Sequence, residues 1–416
     1  MILLYKLSLD ILYGCFLGRN VLNKEWPYEF QEWRYVLSTL LLVLMMKPIV
    51  RLYSRESISS LVILFMNFMY FIPGLTLYAL NPTITNGYFV LFTIYWIVLM
   101  SADRLLSKDL FRISFRPRSK GLFYVVALLL AIIALYITGK YNNFRLHFDL
   151  IDVYGERAAK AEIASHMPVA LNYINTIVAK MVPLVIIYFL IVKKYVWAAF
   201  FTVVQFLLFS FGALKGVIFS AFVAYAVYFF FTLKRVHLIG FAFVLINMVS
   251  ILAYALFDNP YFISLAGNRT FFVPCRLSTN YYDFISYYEP LYLRESILRH
   301  FGFESPYDRP LGNIIGEIDY GTDLTYANTG MCGDAYAQFG WFGMFVYPIL
   351  LVLVFRFLDA SAKGLDSRIM CVFAVIFAAV YINGSFFSIL LTNGVLFFPL
   401  LFMIIPRDGR IGLGKR

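Results

Sequence analysis

"NTGMCGDAYAQFGWFGMFVYPILLVLVFRFL", residues 328–358, changes character near its middle. The part from Asn328 to Gly340 carries amides, hydroxyls, one carboxylate and three glycines. From Trp341 onward the chain stays apolar for about the 20 residues that crossing a bilayer takes. The run reads as a transmembrane helix. Asp334 and so much flexible backbone at its mouth call for a reason of their own.

The apolar character extends over the whole chain. Of 416 residues, 61% are hydrophobic and only 14% charged, with a mean hydropathy of +0.76. Soluble domains run near half apolar and a quarter charged, so lipid must be the solvent for most of this surface. Hydropathy predicts an all-α polytopic membrane protein of about twelve spans, near 1–18, 34–54, 58–80, 86–103, 119–138, 168–192, 195–212, 216–233, 237–257, 336–358, 367–383 and 386–405. On this reading, residues 1–257 form a membrane bundle of about nine spans. Residues 258–335 form one large periplasmic or extracellular loop carrying short helices, and 336–416 the last three spans with a cytoplasmic tail. The first span begins at Met1 with no small-residue cleavage site and reads as an uncleaved anchor. No internal repeat or low-complexity segment stands out. Aromatics make up 19% of the chain, an abundance that interfacial belts and helix packing account for.

Charge orients the bundle. "DRLLSKDLFRISFRPRSKG", residues 103–121, holds Arg104, Lys108, Arg112, Arg116, Arg118 and Lys120 against two aspartates. Lys193, Lys194, Lys234, Arg235 and the tail cations Arg407, Arg410, Lys415 and Arg416 fall on the same side by alternation. That side is expected to be cytoplasmic, with both termini there. The net charge of +11 is then topology, and nucleic acid is not called for. Asp258 to Asp334 differs, with ten acidic residues against five arginines. A connection of this length is unusual without a function. Within it, "PLYLRESILRHFG" has Pro290 at a start and Gly302 at a stop, and predicts a short helix on the membrane surface. A second outer loop, 139–167, is charged in both signs and predicts a helix around 157–165.

Soluble-enzyme signatures are missing: there is no Walker loop, GxSxG, HExxH or CxxC pair. His147, His166, His237 and His300 lack metal spacing. Glu317-Ile318-Asp319 matches the acidic-x-acidic pattern of metal-using sugar transferases, a three-residue signal that a solvated turn also explains. No metal or other cofactor is assigned. Cys15 and Cys371 fall in spans as packing residues. Cys275 and Cys332 are expected on the outer side, where an oxidising compartment permits a disulfide that spacing alone does not establish.

The outer cations are more telling. "GNRTFFVPCRLSTNYYDF", residues 267–284, sets Arg269 and Arg276 among aromatics just after a span. Arginine is suited to bidentate phosphate binding, and near lipid its charge demands a partner. Lys215, in "FGALKGVIF", stands in a hairpin so tight that its ammonium must lie near the lipid boundary, and Arg157 adds another outer cation. Pairing with loop carboxylates or snorkelling to headgroups would explain any one of them. Four on one outer face are better explained by an anionic ligand.

In order, "NRTFFVP", "YYDFIS", "IIGEIDYG" and "ANTGMCGDAYAQFG", after about nine spans and before three more, resemble the oligosaccharide repeat unit polymerases, the Wzy-type enzymes that build O-antigen, capsule or exopolysaccharide in bacteria. "DVYGER" at 152–157 and "FGALKG" at 211–216 are similar to segments at the same places in that family. The resemblance spans roughly 150–345; elsewhere only hydropathy matches. It implies a multi-pass protein of the bacterial inner membrane that takes undecaprenyl-pyrophosphate-linked oligosaccharides and works without a metal. A flippase and a chain-length regulator of the same pathway would be its partners. Arg269 and Arg276, with Lys215 and Arg157, would stabilise the leaving pyrophosphate. Asp334 and Glu317, then Asp283, would be the candidates for a base at the acceptor hydroxyl. Tyr281 and Tyr282, like Tyr287 and Tyr288, would stack on sugars or form part of an interfacial belt. Asn328 and Thr329 would join the residues that bind the glycan or pyrophosphate and also suit the cap of the next helix, with Asp334 in its first turns facing an outer cavity. Two other readings stand beside this one. A ligase-like transferase would use a different acceptor. A transporter or flippase for lipid-linked sugars would show charges along several spans, whereas these spans look nearly clean.

Overall fold

A computed structural model describes residues 1–19, 26–113, 120–145, 167–212, 215–322 and 325–407. The described residues are helical, with no strand among them. In chain order come α1 (Ile2–Cys15), α2 (Glu32–Leu52), α3 (Ile58–Leu80), α4 (Asn86–Leu105) and α5 (Lys120–Asn142). Next are α6 (Val169–Ile191), α7 (Tyr195–Gly212), α8 (Lys215–Phe230), α9 (Ile239–Phe257) and α10 (Val273–Ile285). The last are α11 (Leu311–Tyr320), α12 (Met331–Ala362), α13 (Ser367–Tyr381), α14 (Phe386–Leu390) and α15 (Phe398–Ile404).

Eight helical stretches among the described residues are long and apolar enough to cross a membrane, where the sequence predicts about twelve spans. They are α2 to α6, Leu233–Phe257, α12 and Phe386–Ile404. The other four predicted segments are helical but short. α1 has 14 residues, and Tyr195–Phe211, Lys215–Phe230 and Ser367–Tyr381 fall in the range of 10–17. At 1.5 Å per residue such helices stop short of a hydrocarbon core of about 30 Å.

The chain divides into two compact units, each discontinuous in sequence. The first comprises Met1–Ser107, Leu233–Phe355 and Ala378–Ser388; the second, Lys108–Thr232, Arg356–Phe377 and Ile389–Arg416.

In the first unit α3 is buried on nearly every side. Its middle turn, Asn67–Phe71, widens to a π-helix just before Pro73. Proline lacks the N–H for an i→i−4 bond and crowds the carbonyl four residues back, so a widened turn relieves the clash. The Phe68 carbonyl in this turn accepts a 2.8 Å bond from the Tyr5 hydroxyl of α1. The same device recurs at Ile263–Phe272, a π-helix running into α10 just before Pro274. This pair of elements packs Phe271, Phe272 and Cys275 into the core. The beginning of the predicted outer loop is therefore part of the helical core.

α12 is broken at Phe339 (φ −141°, ψ 18°) and Gly340 (φ 57°, ψ −143°). The break leaves the carbonyls of Ala337 and Gln338 without helical partners, and Leu291 N and Tyr292 N donate to them at 2.9 and 3.0 Å. The Gln338 side-chain oxygen accepts from Leu293 N at 2.8 Å. This docking explains why 290–302 does not form the predicted helix. Tyr292 and Leu293 take positive φ, and only a short 3-10 turn, Leu298–Phe301, precedes the Gly302 stop. The predicted helix around 157–165 lies outside the described residues.

The helices carry more charge than the spans promised. In α1, Lys6 donates to both Asp10 oxygens at 2.9 and 3.1 Å, and Tyr35 and Thr76 donate to the same carboxylate at 3.0 and 2.9 Å. Arg34 is buried and lies over the Trp33 and Tyr78 rings. In the second unit, Arg356 is fully buried beside Asp359, 3.5 Å away. Each of these charges has a partner inside its unit, which is what burial demands.

Gly340→Ala should destabilise the protein by about 1–3 kcal/mol, because the Gly340 backbone lies where side chains are strained. Thermal unfolding in detergent reads this as a lower midpoint. An unchanged midpoint would mean that the break does not constrain the fold.

Candidate functional site

Apart from Lys215, the charged groups singled out in the sequence that fall among the described residues gather on the π-helix Ile263–Phe272, α10, α11 and the start of α12, all in the first unit. On α10, Arg276, Asn280 and Asp283 keep i, i+4, i+7 spacing and so share one face. On α11, Leu311, Ile315 and Asp319 also repeat every four residues, and all three are buried. The apolar pair anchors the helix and carries Asp319 inward with it. Arg276 Nη2 lies 2.7 Å from Asp319 Oδ1, with the arginine side chain 20% exposed and the aspartate 1%. Asn280 Nδ2 donates to the same oxygen at 3.0 Å, and the guanidinium lies 4.8 Å from the centre of the Trp26 ring.

Two further contacts hold α11 in this position. Glu295 accepts from Leu311 N at the helix start, at 3.0 and 3.1 Å from its two oxygens, and its Oε1 accepts from Ser305 Oγ at 2.9 Å. The chain then returns over the helix, with Ala327 N donating to the Gly312 carbonyl at 2.7 Å. A Cβ on Gly316 would collide with the Thr325 carbonyl, so the crossing requires glycine there.

The acidic-x-acidic motif is therefore split. Asp319 is the buried brace of Arg276, while Glu317 is exposed and paired with Arg309. Among the described residues, no group of three or more His, Cys, Asp or Glu side chains could hold a metal. Arg269 is exposed on the π-helix, and both it and Arg276 act electrostatically on the Tyr320 hydroxyl at the end of α11. Burial nonetheless dominates there and raises the Tyr320 phenol pKa. Lys215 begins α8 in the second unit, and Arg157 lies outside the described residues.

Asp334 does not face an open cavity. It is 3% exposed, its Oδ2 accepts from Phe386 N at 2.7 Å, and Gln338 Nε2 reaches Oδ1 at 3.4 Å. It ties the start of α12 to the start of α14. Asn328, exposed, and Thr329, half-buried, precede the helix, but the turn into it closes on the Gly330 carbonyl, which accepts from Gly333 N at 2.9 Å. A Cβ on Gly330 would strike the Ile382 backbone.

Asp283 differs from the other two candidate bases, since Asp334 is buried and Glu317 is paired with an arginine. It is half-buried, and burial alone raises its pKa to about 6. Tyr281 is buried with its hydroxyl on the Ala327 carbonyl at 3.0 Å, so it has no face for a ligand. Tyr282 packs among Tyr336 and Tyr88, at ring distances of 4.7 and 5.6 Å. Tyr287, 86% exposed, and Tyr288, stacked on Phe284 at 4.4 Å, do present aromatic surface. Cys275 and Cys332 are buried free thiols. Trp26, Asn280 and Glu295 escape sequence reading; only Asn280 had a signal, its place one turn after Arg276.

Comparison of the chain with protein-family models, curated proteins and solved structures returned no match. The resemblance to repeat unit polymerases thus rests on the quoted residues alone.

Asp319→Asn should cost about 3–5 kcal/mol by taking the carboxylate away from a partly buried guanidinium, whereas Glu317→Gln should change stability by less than about 1 kcal/mol. Equal effects in thermal unfolding would contradict the split. Asp283 supplies a test by pH. Its carboxyl titrates near 4 when unfolded and near 6 when folded. The folded state therefore keeps a proton that the unfolded chain has released, and this contribution to stability is lost as pH rises from 4 to 6. Asp283→Asn should gain stability relative to the parent across that window and hold a constant lead above it. A lead independent of pH would rule the shift out.

Proposed function

We propose that this chain is a membrane glycosyltransferase that polymerises undecaprenyl-pyrophosphate-linked oligosaccharide units into a surface polysaccharide on the outer face of the bacterial inner membrane. The observation that carries the reading is Arg276, braced by Asp319, Asn280 and Trp26 and still partly exposed. A cation oriented before the ligand arrives needs no reorganisation as charge develops, which is how electrostatic catalysis gains most. Arg269 adds a second, exposed cation on the same segment. The exposed tyrosines Tyr287 and Tyr288 suit sugar faces.

In the reaction, an acceptor hydroxyl attacks the anomeric carbon of the donor sugar. The bond from that carbon to the pyrophosphate oxygen breaks, and the electron pair leaves with the lipid pyrophosphate. Arg276 and Arg269 offset the charge that builds there. The hydroxyl proton passes to a carboxylate, and Asp283 is the best placed of the three candidates, because a base with a pKa near 6 is largely ionised at neutral pH and strong enough to help. Asp334, buried and spoken for by Phe386 N, is better suited to holding the fold, and exposed Glu317 is tied to Arg309. In this reading segment 258–335 lies outside, both termini lie in the cytoplasm, and reporter fusions near residue 300 and at the C-terminus should report those sides.

A transporter of lipid-linked sugars gains some support from the interrupted helix α12, since broken helices often line substrate sites. A ligase-like transferase would share the cationic site and differ in its acceptor. Lipid-linked glycans from cells with and without the protein separate the three. Polymerisation predicts loss of the ladder with the single unit accumulating on the outer leaflet. Loss of outer-leaflet unit would indicate transport, and an intact lipid-linked ladder with no transfer to a final acceptor would indicate ligation. Arg276→Ala should remove long polymer while Arg276→Lys restores it only in part, the bidentate fork being lost. A normal ladder from Arg276→Ala at matched protein level would leave the transferase reading without its cation.

A further inference from the structure

The loop between α10 and α11 carries a tip that the described residues leave uncovered. Its root is fixed, because Leu291 N and Tyr292 N donate to the Ala337 and Gln338 carbonyls at the break of α12. Its neck is closed from the other side, where Glu295 accepts from Leu311 N of α11 and, at 2.9 Å, from Ser305 Oγ. Between root and neck the backbone forms a defined turn. His300 N donates to the Ile297 carbonyl, Gly302 N to that of Arg299 and Phe303 N to that of Leu298, each at 3.2 Å. Gly302 takes φ +85°, and a Cβ there would meet nothing within 4 Å, so the turn stands clear of its surroundings.

Phe301, 74% exposed, and Phe303, 53% exposed, flank Gly302 on this tip. Arg299 and His300 beside them are exposed too, as is Glu304 on the way back to the neck. The neighbouring arginines are paired, Arg294 with Glu289 and Arg309 with Glu317. Among the described residues, Arg299 and His300 have no ion-pair partner. Exposed aromatic surface gathered in one place marks contact with a membrane or a protein, and the root of the loop decides for the membrane. Ala337 and Gln338, which hold it, come just before Trp341, where the apolar run of α12 begins. Trp341 and Phe342 are exposed, and aromatics at the mouth of a membrane-crossing stretch belong at the level of the headgroups. The loop therefore leaves α12 at that level.

We propose that residues 299–303 form a foot on the lipid surface. Phe301 and Phe303 enter the boundary between headgroups and acyl chains at that end of α12, and Arg299 and His300 donate to lipid phosphates. Phosphate oxygens suit both donors, the guanidinium above all. Apolar side chains beside cations are the composition that lies in a membrane interface. The closed neck orders the loop before it meets lipid, so insertion loses little conformational entropy. None of this depends on the transferase reading or on which side of the membrane the loop lies.

The test places a nitroxide on the full chain in nanodiscs of phosphatidylcholine and phosphatidylglycerol. Cys15 is replaced by serine, the other three thiols being buried. One cysteine is then introduced as Phe301→Cys, Phe303→Cys or, for an aqueous reference, Asp308→Cys at an exposed position. Collision with oxygen, which concentrates in lipid, and with a water-soluble nickel chelate locates each label. Labels at 301 and 303 should be open to oxygen and closed to the chelate, and the label at 308 the reverse. With the label at 303, Phe301→Ser should lower the ratio of inserted to withdrawn label about tenfold or more, the effect of returning one phenylalanine side chain to water. Arg299→Gln should lower it about fivefold, the effect of one cation at an anionic leaflet. Both variants should keep the parent's thermal midpoint in detergent, since both side chains are exposed. Chelate access at 301 and 303 equal to that at 308 would overturn the proposal. Shielding from both reagents would overturn it in favour of a protein contact, such as a second copy of this chain. An Arg299→Gln ratio equal to the parent's would overturn the assignment of Arg299 to lipid phosphate.

Discussion

A helix in an apolar environment cannot leave backbone groups unpaired, and the break of α12 at Phe339–Gly340 is where this constraint organises the first unit. The carbonyls it releases are taken by the amides of Leu291 and Tyr292. Gln338 adds its own side chain to Leu293 N and turns its amide toward Asp334. Asp334 in turn accepts from Phe386 N. Three distant parts of the sequence are joined by one short chain of hydrogen bonds, and the carboxylate is its hub. The glycines of "NTGMCGDAYAQFG" serve this joint: Gly330 lets the chain pass against Ile382, and Gly340 supplies the conformation of the break.

The cationic site is a second consequence of the same rule. A carboxylate as deeply buried as Asp319 is tolerable only with a charged partner and further hydrogen bonds. Arg276 and Asn280 supply them, and Trp26 covers the guanidinium from another side. The brace leaves a fifth of the arginine side chain exposed, so one arrangement serves folding and still presents a positive group. Glu317, two residues from Asp319, points out of the helix and meets Arg309. Residues two apart on a helix do not share a face, which is why an acidic-x-acidic reading fails here.

Much of this was legible in the residues. The apolar runs announced the helices at nearly their observed places, and Pro73 and Pro274 account for the two π-helical segments next to them. Arg269, Arg276, Glu317 and Asp319 all fall in the one segment, 258–335, that the sequence singled out. Other features were not legible. Nothing local marks Trp26 as the platform for Arg276, because 250 residues separate them in sequence. The loss of the helix expected at 290–302 was hidden for the same reason: its first amides are claimed by carbonyls of α12. The interruption between Leu390 and Val395 was hidden in an apolar run that reads as one span.

By itself the sequence determined the class, a helical chain with stretches long and apolar enough to cross a membrane, because composition and periodicity act locally and add up along the chain. The tertiary structure alone decided the role of each carboxylate. It made Asp334 a tie, Asp319 a brace and Asp283 a half-buried acid. A carboxylate's role is set by its burial and its partners, and those come from parts of the chain that sequence distance does not connect.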